Sequence, residues 1–152
     1  MSFDTLGLNS NILDAIKTKG YLEPTAVQLQ EIPVALDKKD LLVSAQTGTG
    51  KTAAFVLPML QRLAHDKKNA GGHLLRALIL VPTRELAMQV GENVVEYGKN
   101  LPFKSVNLYG GKNIAAEVVR IEKGVDIIVA TPGRLAEHIV DGSVKLANIN
   151  YF

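Results

Sequence analysis

The sequence predicts an α/β fold, a parallel sheet with helices on both faces in three layers, and three observations lead there. Short apolar runs rich in Val, Leu and Ile alternate with longer segments whose apolar residues recur at helical spacing. Strand and helix candidates alternate along most of the chain, the order that gives parallel strands joined by helical crossovers. At 152 residues, 47% hydrophobic and 21% charged, the chain is long enough to bury one core.

Two helices come first, over Ser10 to Lys19, ended by Gly20, and over Thr25 to Leu36. Leu41 to Ala45 is an apolar run of the kind buried on both faces of a sheet, and is the first expected strand. A helix over Lys51 to Leu63 follows, with Ala53, Ala54, Phe55, Leu57, Leu60 and Leu63 as its apolar stripe. His65 to His73 reads as a solvated loop. Strands at Ala77 to Val81, Ser105 to Tyr109 and Asp126 to Ala130 then alternate with helices at Arg84 to Asn100, Ile114 to Lys123 and Arg134 to Val140. No internal repeat or linker divides the sequence, so a single domain is expected, residues 1–36 leading into a core over 37–152.

Composition excludes several classes. Zero cysteines rule out a disulfide scaffold and a thiolate metal site, and fit a reducing cytoplasm. No apolar run approaches the roughly 20 residues of a membrane span, and the start has no signal-type pattern, so a soluble cytoplasmic protein without a membrane partner is expected. A formal net charge of +2 is too small to imply nucleic acid by itself. Any such partner must be argued from where the charges sit.

The first expected strand runs straight into Gln46-Thr47-Gly48-Thr49-Gly50-Lys51-Thr52 and then into a helix. Backbone N–H groups from Gln46 to Gly50 can curl around phosphate oxygens, Lys51 can reach the outer phosphates, and the Thr52 hydroxyl can ligate Mg²⁺. That is the pattern of a nucleoside triphosphate site, with Ala45 where the first glycine usually stands. A plain Gly/Thr turn between core elements would leave Lys51 unexplained.

Ligands of such sheets bind beyond the carboxyl ends of the strands. The three later strand-to-helix turns read Pro82-Thr83-Arg84-Glu85-Leu86-Ala87, Gly110-Gly111-Lys112 and Thr131-Pro132-Gly133-Arg134, and with the phosphate loop they are expected along one rim. Thr83 and Thr131 are natural N-caps and Pro132 suits a first helical position. Arg84 and Arg134, like Lys51, oppose the positive end of a helix dipole at a cost of a few tenths of a kcal/mol. Anions on the rim would explain them: a triphosphate at Lys51, and phosphates of a polymer at Arg84 and Arg134. A small-molecule kinase would need no such basic rim. Gly110-Gly111 is either a tight turn needing positive φ or a surface that a polymer backbone can approach closely. Gln28 also has two readings: it closes a capping box with Thr25, or its carboxamide pairs with the N6 and N7 edge of adenine.

Together these residues resemble the first RecA-like domain of the DEAD-box ATP-dependent RNA helicases, most like the bacterial RhlE-like subgroup, over essentially the whole chain. Gly20-Tyr21-Leu22-Glu23-Pro24-Thr25-Ala26-Val27-Gln28 resembles the Q motif, and Phe3 its upstream aromatic. Ala45 to Thr52 resembles motif I, which carries alanine in this family. Pro82 to Ala87 resembles motif Ia, Gly110-Gly111 the GG motif and Thr131 to Arg134 motif Ib. The resemblance implies that Phe3 stacks on adenine, that Tyr21 and Gln28 belong to the adenine side of the site, and that Lys51 and Thr52 serve ATP and Mg²⁺. It implies that Pro82, Thr83, Arg84, Gly110, Gly111, Thr131, Pro132, Gly133 and Arg134 hold an RNA sugar-phosphate backbone with little sequence preference. Glu117 stands where relatives often have glutamine, and takes no role from the family.

The resemblance also implies missing parts. No two acidic residues are adjacent in the sequence, so the Asp-Glu-Ala-Asp motif is absent, as are the Ser-Ala-Thr motif and the second RecA-like domain that would be its partner lobe. A truncated piece of an otherwise monomeric helicase is therefore expected, one that binds nucleotide weakly and turns over none. The alternative is a non-catalytic nucleotide- or RNA-binding module.

Overall fold

The computed structural model describes residues 2–66 and 72–152. The chain forms two compact units, Met1–Lys67 with Asn93–Pro102, and Lys68–Glu92 with Phe103–Phe152.

The first unit is helical. After a 3₁₀ turn at Phe3–Leu6 come α1 (Ser10–Thr18), α2 (Ala26–Leu36) and α3 (Lys51–His65). Asn9 starts α1, its side-chain oxygen accepting from the Ile12 N–H, while its own N–H donates to the buried Gln61 of α3 at 2.7 Å. Ile12, Ala15 and Ile16 recur at helical spacing and are all buried. Gly20, at φ 86°, ends α1 in the left-handed conformation that suits glycine. α2 packs on α3, whose buried face is Ala53, Ala54, Val56, Leu57, Leu60 and Leu63. Phe55 does not belong to that face: it is exposed, and Val56 is buried instead.

The expected strand at Leu41 to Ala45 does not form. The segment is non-helical and, among the described residues, has no ladder partner; Leu41, Leu42 and Val43 are exposed, Leu42 at 102%. Apolarity signals burial, whereas a strand also needs a neighbour to take its N–H and C=O groups, and sequence periodicity cannot report that neighbour.

The second unit holds the sheet. β1 (Ala77–Leu80), β2 (Ser105–Leu108) and β3 (Ile127–Ala130) are all parallel, in the order β1-β3-β2. Ala77 and Ser105 both pair in register with Ile127, and Leu80 and Leu108 with Ala130. The central β3 is buried at every residue, as a parallel strand should be. α4 (Arg84–Tyr97), within which the divide between the units falls, follows β1, and α5 (Ile114–Glu122) carries the chain from β2 to its neighbour β3. α6 (Pro132–Asp141) follows β3. Leu78, Val106, Leu108, Val125, Ile128, Ala130, Leu135 and Val144 make the core of this unit. On the far side of β1, Tyr151 forms a parallel bridge with Ala77, its carbonyl accepting from the Leu78 N–H at 2.9 Å.

Glycine decides one packing contact here. A Cβ on Gly91 of α4 would lie 2.1 Å from Asn107 Nδ2 of β2, so the helix approaches the strand only because that position has no side chain. Of the loop expected at His65 to His73, residues 67–71 lie outside the described residues. Its ends are structured, since His65 closes α3 and His73 Nδ1 lies 2.6 Å from Asp126 Oδ2.

Candidate nucleotide and nucleic-acid sites

The phosphate loop belongs to the first unit. Gly48 and Gly50 have φ of 80° and 86°, backbone that glycine adopts without strain. Gly50 is the N-cap of α3, and no side chain caps the helix. The first N–H groups of α3 and the positive end of its dipole are thus left for an anion. Lys51 folds back on the loop, its Nζ donating to the carbonyls of Ala45 and Gln46, and Thr49 Oγ1 donates to Gln46 O at 2.7 Å. Phosphate oxygens would take over the Lys51 ammonium from those carbonyls. The residues fit a triphosphate in this respect. For Mg²⁺ the Thr52 hydroxyl would supply one ligand, and such an ion draws the rest from phosphate and water; among the described residues no three His, Asp or Glu side chains cluster to hold a metal.

Gln28 serves the loop and the helix at once. Its Oε1 accepts from the Thr25 N–H at 3.0 Å, while Thr25 Oγ1 accepts from the Gln28 N–H at 3.4 Å, completing the capping box. Its Nε2 donates to Gly50 O at 3.1 Å, and Thr25 Oγ1 donates to Thr49 O at 2.8 Å. Each end of the carboxamide thus makes one bond within the protein, which leaves one N–H on Nε2 and one lone pair on Oε1 unused on a side chain that is itself buried. Phe3 is buried, at 4% exposure, and offers no open ring face. Tyr21 points its hydroxyl at Tyr97, 3.3 Å away, with the rings tilted and 6.1 Å apart.

In the second unit, three turns gather at the carboxyl ends of β1, β3 and β2. Thr83 caps α4 as expected, its Oγ1 accepting from the Leu86 N–H at 3.2 Å, and Pro82, Thr83 and Arg84 are exposed. Gly110 and Gly111 are exposed too. Gly111 has φ 90°, and a Cβ there would meet Arg84 Nη1 at 3.1 Å, so the turn needs glycine and the Arg84 guanidinium lies against it. Thr131 occupies the N-cap position of α6 with extended backbone, yet its hydroxyl makes no cap bond. Pro132 and Gly133 are exposed.

Arg134 differs from Arg84. Its side chain is 10% exposed, with Nη2 donating to Lys112 O at 3.2 Å and Nη1 3.6 Å from Glu117 Oε2. Its Nε is 3.3 Å from Glu137 Oε2 but makes no hydrogen bond. Two carboxylates thus offset the cation at the start of α6, and no polymer phosphate is needed to account for its position, contrary to the expectation from the helix dipole alone. Arg84 makes no ion pair among the described residues.

The sequence model of the DEAD/DEAH box helicases matches residues 25–152. The chain belongs to this family. The DEAD-box ATP-dependent RNA helicase CshA of Bacillus subtilis is 39% identical over 150 residues, 99% of this chain and 29% of that protein. The ATP-dependent RNA helicase DBP10 of Chaetomium globosum is 42% identical over 149 residues, 98% of this chain and 19% of that protein. The crystal structure of a DEAD box protein from Methanococcus jannaschii superposes with a TM-score of 0.88 at 39% identity, over 100% of this chain and 40% of its own. That of a hypothetical ATP-dependent RNA helicase from Sulfolobus tokodaii gives 0.81 at 35% identity, over 93% and 39%. The chain therefore spans less than half of each, and its α/β fold is that of the N-terminal RecA-like domain of DEAD-box helicases.

Within this DEAD-box domain, one group was not anticipated. His138 of α6 is wholly buried, its Nε2 2.7 Å from Glu117 Oε2 and its Nδ1 2.7 Å from Ser143 Oγ. Ser143 Oγ also donates to His138 O at 3.2 Å. Arg134 and His138 share a face of α6 by their spacing of four, which the sequence does show. Nothing in the sequence shows that α5 brings Glu117 to that face.

Proposed function

We propose that the whole protein couples ATP binding and hydrolysis to the remodelling of RNA duplexes, gripping one strand by its backbone with little sequence specificity. The observation that carries this reading is the start of α3: an uncapped helix N-terminus with left-handed glycines before it and Lys51 on it. Gln46 to Thr52 take the triphosphate and its Mg²⁺, with Gln28 and Tyr21 on the adenine side. Phe3 joins them only if its 3₁₀ turn opens, because the ring is buried as it stands. RNA meets Pro82, Thr83, Arg84, Gly110, Gly111, Thr131, Pro132 and Gly133, the exposed or uncapped parts of the three turns. Arg134 serves the same surface from beneath it. Contacts of this kind favour RNA over DNA through its 2′-hydroxyls.

The names of the relatives support ATP and RNA as ligands, and the share of each relative that the chain covers supports a longer parent with a second RecA-like lobe. The RhlE-like subgroup rests on the motif residues alone, and a monomeric parent on the family resemblance. A cytoplasmic location rests on the lack of cysteine; no described helix is long and apolar enough to cross a membrane. Hydrolysis by a phosphate-loop enzyme needs a carboxylate for the metal and a group to orient water, and the sequence has no adjacent acidic pair to play the Asp-Glu part. This chain alone therefore binds ATP without turning it over.

A fluorescent ATP analogue titrated with Mg²⁺ tests the reading. Lys51→Ala should weaken binding by about tenfold or more, the equivalent of about 1.4 kcal/mol. Equal binding by the two proteins would remove the phosphate-loop assignment. Phosphate release by the unsubstituted chain that Lys51→Ala abolishes would show that it is an ATPase by itself.

A further inference from the structure

Arg134, Glu117 and His138 form a buried chain of contacts that ends on the backbone of the glycine turn. From the inside outward it runs Ser143 Oγ to His138 Nδ1, His138 Nε2 to Glu117 Oε2, Glu117 Oε2 to Arg134 Nη1, and Arg134 Nη2 to Lys112 O. Lys112 follows Gly111 directly, and Gly111 lies against the exposed Arg84 guanidinium. The glycine turn is thus held between two arginines, one facing solvent and one tied down.

We infer that Glu117 and His138 are positioning residues for the RNA-gripping turn, acting through Arg134, which braces Lys112 rather than touching phosphate itself. The inference rests on the RNA reading given above. Its physical basis is the forked guanidinium, which can serve a carboxylate and a carbonyl together in fixed geometry where an ammonium cannot. A carboxylate, a guanidinium and an imidazole are buried together although a well-packed apolar cluster would stabilise the unit as well or better. Glu117 Oε1 has no hydrogen-bond partner, so the group is not arranged for maximal stability. What it does provide is one orientation for Arg134. Glu117 lies in the first turn of α5, whose N-cap Asn113 directly follows Lys112, so the brace and the helix start fix the turn from both sides.

The test is fluorescence anisotropy of a short labelled oligouridylate with the 152-residue chain over a range of salt, each variant checked by its thermal melt. Arg84→Ala is the control for the RNA reading: it should weaken binding and lower the slope of log K against log salt by about 0.7, one phosphate contact on a single strand. Glu117→Gln, which keeps the shape and removes the charge, should weaken binding about fivefold with the slope unchanged, and should have no further effect in an Arg134→Ala background. Arg134→Lys, which keeps the charge and loses the fork, should weaken binding to a similar extent, and carries the test if Glu117→Gln does not fold. Unchanged affinity in Glu117→Gln and Arg134→Lys beside a weakened Arg84→Ala overturns the positioning role alone, as does full affinity in Arg134→Lys with a reduced slope in Arg134→Ala. No binding by the unsubstituted chain, or none lost in Arg84→Ala, overturns the RNA reading on which it stands.

Discussion

Gln28 shows how far a single side chain can be read from sequence. Its place three residues after Thr25 specifies the capping box, and the box forms. Its other end could not be read, because the Gly50 carbonyl comes from a residue far along the chain. Gln28→Ala should therefore do two things: lower stability by about 1–2 kcal/mol through the lost cap and tether, measured by urea denaturation, and weaken the ATP analogue by loosening the loop. An effect on stability alone would limit Gln28 to capping. Tyr97 gives a pH-dependent counterpart. Burial, then the neighbouring Tyr21 hydroxyl, raises its phenol well above the ordinary value. The folded state thus holds the proton more tightly than the unfolded chain, so this contribution is intact below about pH 10 and is lost as pH rises further. Tyr97→Phe should flatten the alkaline end of the stability profile; an unaltered slope there would assign the loss to other groups.

At the scale of elements, local signals specified the helices well because caps and periodicity are local. Asn9, Thr25 and Thr83 each make the bond their position implies, whereas Thr131 holds the position without the bond. Strands were legible only where partners exist. Ala77 to Val81 and Leu41 to Ala45 look alike as sequence, yet among the described residues only the first has strand neighbours, β3 on one side and Tyr151 on the other. Helix-to-strand spacing is a further quantity that composition hides. Gly91→Ala should gain about 1 kcal/mol of helix propensity but lose more, about 1–3 kcal/mol, in forcing Asn107 aside. A net fall in melting temperature is expected, and a rise would mean that Asn107 moves freely.

For the whole molecule, family and fold follow from motifs that are continuous in sequence, and for that reason were readable. The brace under the glycine turn joins α5 to α6 across more than twenty residues, and only the folded chain brings Glu117 and His138 to 2.7 Å. The division into two units was equally hidden, since no linker composition marks it and it passes through α4. Its test is denaturation of a Tyr109→Phe, Tyr151→Phe variant followed by two probes, tyrosine fluorescence for the remaining Tyr21–Tyr97 pair of the first unit and backbone ellipticity for the whole. Coincident curves would show that the units unfold together; separated curves would show independent cooperative bodies.

The uncovered run at Leu41 to Val43 bears on how the chain behaves at high concentration. An apolar run that lies in water outside any ladder among the described residues is a template for pairing with its own kind. Light scattering should therefore rise with protein concentration, and a single cation placed there by Leu42→Lys should suppress the rise while leaving nucleotide binding unchanged. Self-association of this chain is expected to start at this exposed apolar segment, which among the described residues has no strand to pair with.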